Sequence, residues 1–192
     1  MLQRLISSWV YGGVLAGILL LALAPLLVDG WPAPLAATFL LLPAYMIHQY
    51  EEHDQDRFRL FFNETIGQGL DILSPLAVFL TNVPGVWGVL ALSLYGAVLF
   101  GLGWALIAVY LVLVNAVVHI VHAIRFRRYN PGLLTAVALF LPLGMATLLW
   151  IHRAGGDSIR SHAIGLLTAV ALHGAILIWV RQQFLVLQAR PN

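Results

Sequence analysis

Cysteine is absent from this sequence, which excludes disulfides and thiolate metal ligands. Lysine is absent too, so all ten basic residues are arginine. Charged residues make up only 9%, where water-soluble domains carry about a quarter. The net charge of +2 is too small to form a nucleic-acid footprint, and no such partner is expected. What fills the space is apolar: 61% of residues are hydrophobic and the mean hydropathy is +0.91. Whole windows carry no charged residue, at 10–28, 32–47, 72–124 and 131–151. A soluble helix would show a polar back face at helical spacing, and these windows show none. Stretches of about 20 apolar residues cross hydrocarbon, so the pattern predicts a polytopic membrane protein.

The first apolar run follows Arg4 and passes Ala22-Leu23-Ala24, a small-residue pattern like a signal-peptide cleavage site. The run is long for a signal peptide and Pro25 follows at once, so a retained first span is expected. The reading is an all-α transmembrane bundle forming a single integral membrane domain over 1–192. Its six spans are placed at about 9–28, 33–50, 71–98, 103–125, 131–151 and 162–184. With both termini cytoplasmic, Arg4, Arg57, Arg59, Arg125, Arg127, Arg128, Arg181 and Arg190 fall inside, leaving Arg153 and Arg160 outside. Trp31, Trp104 and Trp150 then mark the outer interface, and Trp9 and Trp179 the inner one. Asn82-Val83-Pro84-Gly85 interrupts the third span, predicting either a kinked helix or a re-entrant element. A second interruption is expected at Pro142. Between the second and third spans, Arg57 to Phe62 reads as an interfacial segment.

The polar residues within these spans carry the functional reading. At the cytoplasmic end of the second span stands His48-Gln49-Tyr50-Glu51-Glu52-His53. Positions i, i+3 and i+4 share one helix face within about 100° of arc, which groups His48, Glu51 and Glu52. The polar end of a span is an adequate account of His53. In the fourth span Asn115, His119 and His122 lie at i, i+4 and i+7, within about 60° of arc. Intramembrane polar groups are costly and face the bundle interior, where they act as sites or as interhelical hydrogen bonds. Both spans run toward the cytoplasm, so the two faces are expected to meet at one depth. His173 of the sixth span is expected within reach. Asp71 is expected to open the third span, with Asn82 on its face.

The resulting set of His48, Glu51, His119, His122 and His173 suits a divalent metal, zinc ahead of iron. A di-iron site calls for about four carboxylates, more than this face offers. Glu51 and Glu52 would divide the roles of metal ligand and catalytic base. Asn130 reads as an N-cap and Pro131 as a first helical residue. With Arg125, Arg128 and Tyr129 they suggest a place for an anionic headgroup, and Asn115 joins the substrate-binding set. His152 and His162 flank the outer loop and read as ordinary interfacial residues.

The pattern His48, Glu51, Glu52 resembles the defining motif of a bacterial membrane family named for HxxEE. Asn115 to His119 and Arg128-Tyr129-Asn130-Pro131-Gly132 are also similar to features of that family. The resemblance covers the second to fifth spans and implies the bacterial inner membrane, without implying an activity. The expected function is a metal-dependent enzyme hydrolysing a lipid-like substrate at the cytoplasmic leaflet, with membrane lipid as its surroundings. A metal-free acid/base isomerase or cyclase on an isoprenoid-like substrate, a proton-coupled transporter and an interaction subunit are the alternatives. Oligomeric state is left open.

Overall fold

Proline and glycine divide the apolar runs into helices. The computed structural model describes residues 1–189, so Arg190 of the inside-positive set lies outside the described residues. Among the described residues seven helices follow one another: α1 (Leu2–Leu27), α2 (Ala33–His53), α3 (Arg57–Thr65), α4 (Pro75–Phe100), α5 (Leu102–Phe126), α6 (Leu133–Arg153) and α7 (Ile159–Gln188). No strand occurs among the described residues. Five helices are long and apolar enough to cross a membrane: α1, α4, α5, α6 and α7. The sixth long helix, α2, has the length at 21 residues, but its last turns hold the polar motif. This is a helical membrane protein.

The ends of the helices follow local chemistry. Ser74 caps α4, its hydroxyl accepting from the Ala77 amide at 3.2 Å, with Pro75 in the first turn. Ser158 and Ser161 form a reciprocal capping box at the start of α7. Gly101, at φ 113°, supplies the one-residue link between α4 and α5. In α4 the backbone widens into a π-helical segment, Thr81–Trp87, around Pro84. Proline has no amide proton to close a regular turn, and the wider turn makes room for its ring. The third span is therefore one continuous helix with a π segment. A second π segment, Ala136–Phe140, precedes Pro142 in α6.

Helices α2 and α5 are central. Helix α2 packs against α1, α4, α5 and α6, while α5 packs against α4, α6 and α7. The main core joins Leu41 and Tyr45 of α2, Leu90 of α4, Leu106, Val109 and Val112 of α5, and Phe140 and Ile151 of α6. A second core gathers Trp9 and Val10 of α1, Phe62 of α3, Ile72, Leu73, Val78 of α4 and Val180 of α7. Small residues set the closest crossings. A Cβ on Gly17 would lie 3.0 Å from Met46 Cβ, where α1 meets α2. One on Gly165 would lie 2.8 Å from the Leu106 carbonyl oxygen, where α7 meets α5. Such close approach is how helices pack in lipid, where burial of apolar surface supplies no drive.

Several local expectations are revised. Asp71 does not open a helix. It lies in the exposed loop before α4, accepting from Arg59 Nη1 and from Asn63 Nδ2, both at 2.6 Å. Asn82 belongs to a closed buried network. Its Nδ2 donates to the Val78 carbonyl at 2.9 Å and its Oδ1 accepts from Gln49 Nε2 at 2.9 Å. Gln49 Oε1 in turn accepts from Trp87 Nε1 at 2.6 Å. The segment Arg57 to Phe62 forms most of α3, with Phe62 buried. His152 and His162 are more than interfacial residues, because both donate to Asp157 Oδ2, at 3.0 and 2.9 Å. The bonds from His162 and then His152 hold the Asp157 carboxyl down at about 2. His162 Nδ1 also accepts from the Tyr110 hydroxyl at 2.8 Å, which ties this loop to α5.

Gly165→Ala should lower the thermal midpoint in detergent, since overpacking a close crossing costs about 1–3 kcal/mol. Gly174→Ala, on the same helix with nothing within 4 Å of its added Cβ, should leave the midpoint unchanged or raise it slightly. Circular dichroism melts of the two variants check this, and equal midpoints would refute the close-crossing account.

Candidate metal centre

The last turns of α2 send successive side chains in different directions. His48, Gln49, Glu52 and His53 are buried, while Tyr50 is exposed. Glu51 and Glu52, adjacent in sequence, part company. Glu51 turns to the start of α6, where its carboxylate accepts from the amides of Leu134 (3.0 Å) and Thr135 (2.7 Å). It also accepts from the Thr135 hydroxyl and from the Tyr129 hydroxyl at 2.5 Å. A carboxylate on free helical amides satisfies groups that would otherwise lack partners and complements the helix dipole. Partial burial and the bond to Glu51 push the Tyr129 hydroxyl up to about 12.

Glu52 points inward. Its Oε2 lies 3.6 Å from His48 Nε2 and its Oε1 lies 3.4 Å from His119 Nε2. One ligand atom from each of His48, Glu52 and His119 falls within 4.8 Å of the other two, and all three residues are buried. Helices α2 and α5 thus meet through these side chains.

The hydrogen bonds on the far side of each ring settle what faces the centre. Asn130 Nδ2 donates to the His119 carbonyl at 2.9 Å, so the other amide atom, Oδ1, is an acceptor. His119 Nδ1 lies 2.7 Å from that oxygen and must carry the proton. The Thr135 hydroxyl donates to Glu51, so its oxygen accepts from His48 Nδ1 at 2.8 Å. In a neutral imidazole with Nδ1 protonated, Nε2 is a bare lone pair. With both rings neutral, both Nε2 atoms aim lone pairs at the Glu52 carboxylate. Such an arrangement of acceptors in a buried place is unstable without a cation. Ring orientation by a bond at Nδ1 is also how protein metal sites hold their histidines.

Gly132 closes one side of the cluster. Its φ is 96°, and a Cβ there would lie 2.6 Å from His119 Cε1 and 2.9 Å from His48 Cε1. Only glycine satisfies both the backbone conformation and the contact. The segment 129–132 is thus part of the site, by a different route from the one expected. Helix α6 begins at Leu133 after Gly132, and Asn130 is the partner of His119 rather than an N-cap.

His53 is a member that the sequence did not single out. It is 6% exposed, and both ring nitrogens are buried without hydrogen-bond partners. Its Nε2 lies 3.1 Å from Glu52 Oε2 but is not aligned for a hydrogen bond. Trp9 and Phe58 flank it, with ring centroids at 5.2 and 5.4 Å. The available signal was its place beside Glu52 on a helix that continues past the motif.

Other predicted residues stand apart from the cluster. His122 and His173 line an adjoining cavity with Asn115, and neither belongs to the three-residue group. His173 Nδ1 donates to the Ala169 carbonyl at 2.9 Å. Arg128 pairs with Glu64 at 3.7 Å and lies over the Phe61 ring, bracing α3. The Arg125 guanidinium lies 5.9 Å from the neighbouring Phe126 ring. The cavity has a volume of about 540 Å3 and is walled mainly by apolar side chains from both cores. Glu52, His53 and His119 form its polar end. Val117, Val121 and Leu177 line it and are also exposed, which places an opening between α5 and α7 on the outer surface of the bundle.

A model of a family of proteins of unknown function with an HXXEE motif matches residues 39–147, more than half of the chain. The chain belongs to this family. The matched region contains His48, Glu51 and Glu52, and it also takes in His53, His119, Asn130, Gly132 and Thr135. Searches of curated proteins and of solved structures find no match.

In mildly alkaline, chelator-treated samples, 15N-histidine spectra should show His48 and His119 as Nδ1–H tautomers. Asn130→Leu should release His119 from that tautomer and leave His48 in it. Nε2–H tautomers in the unaltered protein would refute the assignment.

Proposed function

We propose that His48, Glu52 and His119 hold one divalent metal ion, with which the protein hydrolyses a lipid-like substrate. The observation that carries this reading is the pair of imidazole Nε2 atoms, each ring already bonded at Nδ1, that face a buried carboxylate. Two histidines and one carboxylate form a donor set used by hydrolytic zinc sites and by non-haem iron sites. Zinc is preferred to iron here because this donor set, with a position left for water, is that of hydrolytic zinc sites.

The ion's contribution would be a water acidified at its open position and a Lewis-acid contact to the substrate oxygen. The remaining work falls to the chain. His53, on the cavity side with two free nitrogens, is placed to take up the proton as general base. Glu51 becomes a positioning residue, ordering the start of α6 and, through Thr135, the His48 ring. Its expected role as ligand or base passes to Glu52 and His53 respectively. The apolar cavity would receive a hydrocarbon chain through the lateral opening and place its polar end at Glu52 and His119.

Metal content of detergent-purified protein tests the reading. Unaltered protein should carry about one zinc per chain, lost in Glu52→Gln and in His119→Ala. Glu51→Gln should keep the ion at about 10–100-fold lower affinity, as expected for a group that orients a ligand. Zinc affinity should fall with decreasing pH, because the imidazoles and carboxylate bind only when deprotonated. Stoichiometric metal in both Glu52→Gln and His119→Ala would refute the site. No metal after reconstitution with zinc and iron would make a proton the cation, and acid/base chemistry on an isoprenoid-like substrate the reading.

A further inference from the structure

The cavity beyond the metal cluster is apolar, yet its wall carries polar groups that the proposed hydrolysis does not use. Asn115 Oδ1 is buried with no hydrogen-bond partner, in a side chain that lines this cavity. An unpaired amide oxygen in such surroundings is costly, and most buried polar atoms in folded proteins are paired. On α7, His173 lines the same cavity. Its Nδ1 donates to the Ala169 carbonyl, which leaves Nε2 of the neutral ring as an acceptor. The α5 and α7 walls thus each bring an unused hydrogen-bonding group, an amide and an imidazole nitrogen, to a space otherwise shaped for hydrocarbon.

The polar network elsewhere makes the contrast informative. Gln49 and Asn82 are also buried inside the bundle, and with the half-buried Trp87 they form a hydrogen-bonded chain. Asn115 has no such arrangement. It precedes His119 by four residues on α5, a rise of about 6 Å along the helix.

We infer that the substrate is a hydroxylated single-chain amphiphile, its hydroxyl about 6 Å from the reacting group and bridging Asn115 and His173. A hydroxyl fits because it accepts from the Asn115 amide, turned to present its N–H, while its own proton goes to His173 Nε2. A chain of hydrocarbon alone would bury the amide against methylenes and leave it unpaired. A site built to hydrogen-bond a hydroxyl rejects the analogue that lacks it more sharply than an apolar pocket rejects an added group. Asn115 and His173 therefore act as specificity-determining residues, with the lateral opening admitting the chain. This inference rests on the metal-centre reading for the position of the reacting group.

The test measures binding of stearate and of a series of monohydroxystearates whose hydroxyl steps along the chain. Tryptophan fluorescence of the zinc-loaded, detergent-purified protein reports it, since Trp9 and Trp87 lie close to the site. Affinity should peak at one hydroxyl position near the head, about tenfold above stearate. Asn115→Leu should flatten that profile while keeping the affinity for stearate, which also shows that the variant is folded. His173→Phe should lower the peak. A flat profile in the unaltered protein, a peak that survives both substitutions, or no binding of any of these acids would overturn the inference. Glu52→Gln separates the two readings: a metal-bound head predicts that it weakens every acid alike and leaves the hydroxyl profile in place. Undiminished affinity in Glu52→Gln would count against the metal reading, and the profile would still decide this one.

Discussion

The Glu52 carboxylate is withdrawn from water among three imidazoles, with Nε2 of His48, His53 and His119 all within 3.6 Å of it. A carboxylate in a low-dielectric interior costs several kcal/mol unless a cation, whether a metal ion or a proton on a ring, compensates it. The neighbouring structure holds this arrangement in place. Asn130 fixes one ring and folds back to the carbonyl of the residue it orients. Thr135 fixes the other and is itself fixed by Glu51. Gly132 lets the backbone approach both rings where any side chain would push them apart. The two glutamates of the motif thus serve one centre from opposite sides, one by facing it and one by anchoring the helix that supports it.

The irregular backbone serves the same end. The π segment of α4 carries Asn82, which closes a network with Gln49 and Trp87 just beneath the motif. The π segment of α6 brings Phe140 onto the His48 ring, with centroids 4.2 Å apart. Such segments rotate the side chains that follow them and often accompany functional sites. The satisfied network beside Gln49 shows that this fold pairs buried polar groups closely. Against that background, the unpaired nitrogens of His48 and His53 and the unpaired amide of Asn115 mark places arranged for something besides the chain itself.

The apolar windows and their proline and glycine breaks were enough to place the helices, with ends shifted by a few residues. The pairing of α2 with α5 was legible as well, because helical phase and distance from the membrane surface are both linear in sequence. His48, Glu52 and His119 could be grouped on that ground. The motif arithmetic failed where side-chain direction depended on a partner. On an isolated helix Glu51 and Glu52 share a face, but the amides at the start of α6 draw Glu51 away. Asn130 looked like a helix cap because its local sequence fits one, and a long-range contact to His119 claimed it instead. Asp71 was captured in the same way by Arg59 and Asn63.

By itself, then, the sequence determined that this is a membrane protein, where its helices run and which polar residues fall near the same end of α2 and α5. Those properties follow from transfer energies and helical geometry, which are local. Only the tertiary structure decided which nitrogen of each ring is bonded, which glutamate faces the centre, that His53 stands beside it and that a cavity adjoins them. These depend on hydrogen bonds and contacts between distant segments. Along any one helix, hydrophobic periodicity and residue spacing are the same whichever partner is chosen.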